Sequence, residues 1–141
     1  MIAVDTNVLV RALVDDPDER AQVEAARIVL KSAGEVFLPQ VVQVEMVWVL
    51  ETAYGLKHQE VLRVLDALAV NSAYVFERED HFSAALAMFR QGKADFADYL
   101  ILAAAHTADV PLATLNKRLA RSEGVHLLAP GKSMLPTVPT T

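Results

Sequence analysis

Asp95 and Asp98 stand three residues apart at the head of Ala94-Asp95-Phe96-Ala97-Asp98-Tyr99-Leu100-Ile101-Leu102-Ala103-Ala104-Ala105, a run that is otherwise almost wholly apolar. On a helix that spacing puts both carboxylates on neighbouring parts of one face. A helix apolar on every side belongs in a core, so the two acids sit where a core helix meets solvent. They also read as a capping pair, with Asp95 as N-cap and Asp98 at the third helical position. Asp5 closes the short apolar run Ile2-Ala3-Val4, and the end of a strand is the ligand side of an open α/β sheet. Its plainer alternative is a helix cap. Glu45 lies inside Val41 to Leu50, read as a helix, with Val41, Val42, Trp48 and Val49 as its three- and four-residue neighbours. An ionised carboxylate on an apolar face is costly without a partner, which points Glu45 towards a functional role.

Carboxylates of this kind, brought together, raise one another's pKa unless a cation neutralises them. A divalent metal is the economical neutraliser. With oxygen ligands and no cysteine in the chain, the chemistry favours Mg²⁺ or Mn²⁺ over Zn²⁺. His58, His81, His106 and His126 show neither close pairing nor zinc-type spacing. Gly131-Lys132-Ser133 looks like the end of a phosphate-binding loop, but His126 stands where that motif needs its first glycine. No nucleophile elbow supports Ser-His-Asp catalysis.

The elements that must position these acids follow from the pattern. Ile2-Ala3-Val4, Val36-Phe37-Leu38, Tyr74-Val75-Phe76, Val110 to Leu115 and Val125 to Leu128 read as strands. Between them fall helices over Val8 to Val14, a segment capped by Asp18 and ended by Gly34, Val41 to Leu50, His58 to Ala69, Asp80 to Arg90, the Asp95 helix and a short basic helix from Asn116 to Arg121. Alternating strands and helices predict an α/β fold with a mostly parallel sheet of four or five strands. One domain is expected over residues 1–129, followed by a flexible Pro- and Thr-rich tail over 130–141. The 141 residues are 53% hydrophobic and 22% charged, enough for a core without staples. A net charge of −5 argues against a protein that coats nucleic acid by bulk positive potential. It leaves room for an enzyme that binds nucleic acid in a separate basic groove. Without a basic leader or a long apolar run, the expectation is a soluble cytoplasmic protein with no membrane segment.

Four segments in order carry a resemblance: Val4-Asp5-Thr6-Asn7-Val8-Leu9-Val10, Glu45 in its apolar helix, Ala94 to Asp98, and Leu112-Ala113-Thr114-Leu115-Asn116-Lys117-Arg118-Leu119-Ala120. Together they resemble a PIN-domain ribonuclease, and more narrowly the VapC toxins of bacterial VapBC toxin–antitoxin pairs, over about residues 2–128. The resemblance implies a three-layer α/β/α fold, a divalent-metal site and endonucleolytic cleavage of RNA. By position, Asp5, Glu45 and Asp98 match the metal-binding catalytic acids, and Asp95 matches an additional acid found in a subset. Thr6 and Asn7 match the polar pair supporting the first aspartate, and Thr114 matches a residue beside the site. Asn116 departs from the pattern, standing where many members have an aspartate. Its amide oxygen can still coordinate an ion or its waters, without adding negative charge.

The reaction implied is metal-assisted phosphodiester hydrolysis. Arg11, Lys93, Lys117, Arg118 and Arg121 are candidates for gripping the RNA backbone, with ordinary solvated charge as the plain alternative. The implied partners are RNA, a VapB-type antitoxin and a second copy in a homodimer, with Trp48 and Tyr54 as candidate contact or core residues. Two other readings stay open. One is a PIN-fold binding module whose metal site is attenuated by Asn116. The other is an aspartate-nucleophile phosphatase, which Asn7 weakens by occupying the place of that family's second aspartate.

Overall fold

The computed structural model describes residues 1–131. Most of the expected tail, with Lys132 and Ser133, lies outside the described residues. Among the described residues five strands alternate with six α-helices: β1 (Ile2–Ala3), α1 (Thr6–Leu13), α2 (Arg20–Ala33), β2 (Val36–Leu38), α3 (Gln40–Thr52), α4 (His58–Val70), β3 (Tyr74–Phe76), α5 (Glu79–Gln91), α6 (Phe96–Thr107), β4 (Leu112–Thr114) and β5 (Val125–Leu127). Every strand pairing is parallel. This is the α/β class anticipated, since parallel neighbours need a helical crossover between them. The chain packs as two compact units, Met1–Glu79 and Asp80 onward.

In the first unit the sheet runs β1-β2-β3, with Ile2 opposite Val36 and Val36 opposite Tyr74. Val36 and Leu38 point into the core, as do Leu9, Val10, Met46, Leu50, Leu65 and Leu68. Asp5 ends β1 and caps α1, accepting the Val8 N–H at 3.0 Å, so its capping alternative is realised. α2 begins differently from expectation: Asp16, not Asp18, is the capping acid, and it closes a 3-10 turn over Pro17–Glu19 before the α-helix starts. Proline at the first position of that turn needs no N–H partner. Gly34, at φ +76°, ends α2 as anticipated.

Pro39 offers α3 no side-chain cap, and the Glu77 carboxylate beyond β3 supplies one, accepting the Gln40 N–H at 2.8 Å. Gln43, fully buried one turn on, donates its amide to the carbonyls of Leu38 at 3.0 Å and Glu77 at 2.9 Å. α3 is thereby tied to the carboxyl ends of β2 and β3. Among the described residues the Gln43 Oε1 has no partner.

Tyr54 and Tyr74 are both held above the ordinary phenol pKa of 10.0, Tyr54 by burial and then by its hydrogen bond to Asp16, Tyr74 by burial. A raised folded-state pKa contributes stability that is complete below about pH 10 and is lost as pH climbs through the folded value. The urea midpoint is therefore expected to fall from about pH 10 upward. The double variant Tyr54→Phe, Tyr74→Phe should flatten that fall, and an unchanged alkaline slope would refute the assignment.

In the second unit β4 and β5 pair with Leu112 opposite Val125. The core is aromatic: Phe96 meets Phe82 and Phe89 edge-on at 5.9 and 5.5 Å, and Phe89 meets Tyr99 at 6.4 Å, a geometry favoured by ring quadrupoles. α6 buries Phe96, Tyr99, Leu100, Leu102, Ala103 and Ala105, the core helix read from its composition. The basic helix expected from Asn116 to Arg121 is instead a turn ending in a 3-10 segment, Leu119–Arg121. Asn116 closes that turn through its side chain and replaces the helical start. No helix among the described residues is long and apolar enough to cross a membrane.

Candidate active site

In the first unit Asp5, Asn7 and Arg11 line one cleft of about 540 Å³ between α1 and α2. Asp5 is there because β1 is only two residues long and α1 follows it without a loop, which leaves the capping carboxylate at the strand's carboxyl end. Thr6 is buried and Asn7 exposed. Arg11 does not hang free: its guanidinium donates to Gln22 Oε1 at 2.9 Å and to Asp16 Oδ2 at 3.3 Å, and also meets the Tyr54 hydroxyl. Tyr54 in turn donates to Asp16 at 3.0 Å. This network fastens α1, the 3-10 turn, α2 and the end of α3 to one another, so Tyr54 is polar glue and not open apolar surface.

Glu45 corrects an expectation. Its helical stripe, Val41, Glu45 and Trp48, faces solvent, with Val41 and Trp48 61% and 65% exposed. Burial falls on Val42, Gln43, Met46, Val47 and Leu50. The carboxylate thus meets no desolvation cost, because the apolar neighbours sharing its stripe are themselves exposed.

In the second unit Asp98, half-buried one turn into α6, accepts from the Asn116 amide at 3.3 Å and from the Asp95 N–H at 3.4 Å, both through Oδ2. The Asp95 bond is the return half of the expected capping pair. Asn116 lies just past the carboxyl end of β4. Its backbone N–H donates to Thr114 Oγ1 at 3.0 Å, and its Oδ1 accepts from Arg118 N at 2.9 Å and Leu119 N at 3.3 Å. Two N–H groups fix which side carries the oxygen, so Asn116 presents its nitrogen to Asp98 and steadies that carboxylate. Thr114 steadies Asn116. Loss of the amide should leave the Arg118 and Leu119 N–H groups without their acceptor. Asn116→Ala is accordingly expected to lower stability by about 1–2 kcal/mol, measured by urea denaturation, and an unchanged midpoint would refute this role.

Asp95, Asn116, Lys93, Lys117 and Arg118 line a cleft of about 430 Å³ in this unit. Among the described residues Lys93, Lys117, Arg118 and Arg121 make no ion pair. Asp16 was not singled out from sequence as a partner of Arg11; the clustering of Asp15, Asp16 and Asp18 beside a proline was the available signal.

Within each unit, taken by itself, the acids offer the oxygen chemistry that a hard divalent cation takes. Asp5 uses only Oδ1 and Asp98 only Oδ2 in hydrogen bonds, and Glu45 uses neither oxygen, among the described residues. Each carboxylate therefore keeps an oxygen available, and carboxylate oxygens are the ligands Mg²⁺ and Mn²⁺ take. Among the described residues no group of three or more His, Cys, Asp or Glu side chains is arranged to hold a metal ion.

The family model described as the PIN domain matches residues 2–124. The chain belongs to the PIN-domain family. No curated protein matches it in sequence. PIN domains are in general metal-dependent nucleases, hydrolases that act on nucleic acid with divalent ions, and their parallel α/β architecture is the one described above. In this PIN domain Asp5 and Asn116 each follow the carboxyl end of a strand, the position where ligand sites of parallel α/β sheets form.

Proposed function

We propose that this PIN domain, one domain over residues 1–129, is a Mg²⁺- or Mn²⁺-dependent endoribonuclease, and the VapC-type toxin of a type II toxin–antitoxin pair. The observation that carries the nuclease reading is the match of the PIN-domain model to residues 2–124, and by position in the family pattern Asp5, Glu45 and Asp98 are the acids assigned to the ion. These three are the ion's ligands in this reading, with Asp95 as an auxiliary acid. Thr6 and Asn7 support Asp5 at the start of α1, and Thr114 supports the turn that holds Asp98. When bound, the ion supplies Lewis acidity at the phosphate oxygens. Asn116 keeps Asp98 in one orientation, and Lys93, Lys117, Arg118 and Arg121 draw the RNA phosphates towards the second unit's cleft. Arg11, already held by Asp16 and Tyr54, adds a fixed positive charge beside Asp5.

The toxin reading rests on the motifs around Asp5 and Asn116, and on the exposed Val41 and Trp48. Such apolar surface suits protein partners, here a VapB-type antitoxin and a second copy of the chain in a cytoplasmic homodimer. The test is purified protein on total RNA. Cleavage should vanish with chelator and return with excess Mg²⁺ or Mn²⁺; cleavage that persists in chelator overturns the reading. Asn116, which brings no negative charge, favours one rival, a binding module with an attenuated site. Isothermal titration with Mn²⁺ separates the two, since the rival requires very weak ion binding.

A further inference from the structure

The second unit contains another cleft, of about 520 Å³, whose wall shares Lys93 and Arg118 with the cleft holding Asp95 and Asn116. Its volume falls in the range of small-ligand sites. Met88 gives it an apolar side, and Arg121 and Ser122 give it a polar one. At the join of α5 and α6, Gly92 and Tyr99 complete it. A Cβ on Gly92 would lie 1.7 Å from the Tyr99 hydroxyl oxygen and 2.6 Å from Cζ, so the phenol holds its place only because residue 92 has no side chain. That hydroxyl accepts the Ala94 N–H at 3.3 Å, and among the described residues its own proton has no acceptor.

The lining thus offers two guanidinium planes, an ammonium, a thioether wall and one O–H in need of an acceptor. Guanidinium planes stack on bases and pair with phosphates, a thioether packs against a ring, and a lone O–H reads an acceptor on a base edge. Inorganic anions use only the first of these. In a chain of net charge −5, three cations without ion-pair partners among the described residues, gathered around one pocket, are a local departure. We infer that this pocket takes one nucleotide of a single-stranded RNA, its base against Met88 and Arg121 and its phosphate at the shared wall of Lys93 and Arg118. Bases of single strands are free to be splayed into such pockets. The inference rests on the ribonuclease reading for its choice of ligand, and makes the pocket the place where the sequence beside the cut is read.

The test uses the full chain in chelator, where nothing is cleaved, titrated with the four 5′-mononucleotides and with inorganic phosphate while amide NMR shifts are followed. One mononucleotide is expected to shift Gly92, Lys93 and Ser122 and to bind about tenfold tighter than phosphate. Arg121→Ala, a change at an exposed position, should weaken it about tenfold. Gly92→Ala should do the same by displacing the Tyr99 hydroxyl; if that variant does not fold, Arg121→Ala decides alone. In cleavage assays Arg121→Ala should raise KM for RNA with kcat nearly unchanged. Phosphate binding as tightly as every nucleotide, or indifference of nucleotide binding or KM to Arg121→Ala, overturns the inference. The chelated titration does not depend on catalysis, so a negative titration beside intact metal-dependent cleavage removes the pocket and leaves the nuclease. Nucleotide binding in a chain that cleaves no RNA removes the nuclease and with it the pocket's role beside a cut.

Discussion

Asp5→Asn is expected to reduce metal-dependent RNA cleavage by at least about a hundredfold while leaving the denaturation midpoint within experimental error. Two roles meet at this residue, and the substitution separates them. As a cap, Asp5 contributes one oxygen to the Val8 N–H. Asparagine is an equally good N-cap, whereas alanine would cost about 1 kcal/mol. As a ligand, Asp5 contributes charge and a second oxygen, and the amide has neither. Losing a group that merely orients a ligand costs about 10–100-fold in metal affinity or activity, so losing a ligand should cost no less. Activity should be assayed at saturating Mn²⁺ beside thermal or urea denaturation of the same sample. Retained cleavage would sink the assignment of Asp5; lost cleavage with a collapsed midpoint would show that the cap was the residue's main task.

The largest effect on stability is expected at Gln43→Ala, a loss of about 3 kcal/mol. Gln43 is a long polar side chain in the interior with 0% exposure, and its amide satisfies two strand-end carbonyls. Leu38 O keeps another donor, the Glu77 N–H at 3.0 Å. Among the described residues Glu77 O has no such second donor. Truncation therefore costs a buried hydrogen bond, about 1–3 kcal/mol, and opens a cavity with its own penalty. Relief of the partnerless Oε1 recovers a part of this. Urea denaturation with an unchanged m-value and a midpoint lowered accordingly would bear this out; a shift below about 1 kcal/mol would show that solvent or neighbouring groups fill the site.

How much of this could be read from residues alone varies by element. The strands at Val36–Leu38 and Tyr74–Phe76 and the core helix after Asp95 were legible because local composition and turn residues agree with the packing that resulted. Asp5 was legible as a cap, since capping needs only residues three apart. Glu45 was not: α3 is apolar at nearly every position, so periodicity could not distinguish its wet stripe, and Trp48 stayed open between contact surface and core. Arg11 was also misjudged as an open charge, because Tyr54, one of its partners, is 43 residues away in sequence. For Asn116 the residue type suggested an oxygen offered outward. The turn that follows it claims that oxygen through the Arg118 and Leu119 N–H groups, and such claims depend on backbone geometry that no spacing rule encodes.

The five strands have only two or three residues each. Ladders this short hold few amides. Protection against hydrogen exchange should therefore be greatest in the helices, at Met46, Val47 and Leu102, with β1 and β5 opening at lower free energy. The protein would behave under native conditions as a helical framework carrying small strand inserts. Its strand ends would then owe their persistence to side-chain ties such as Gln43 and Asn116 more than to the sheets themselves.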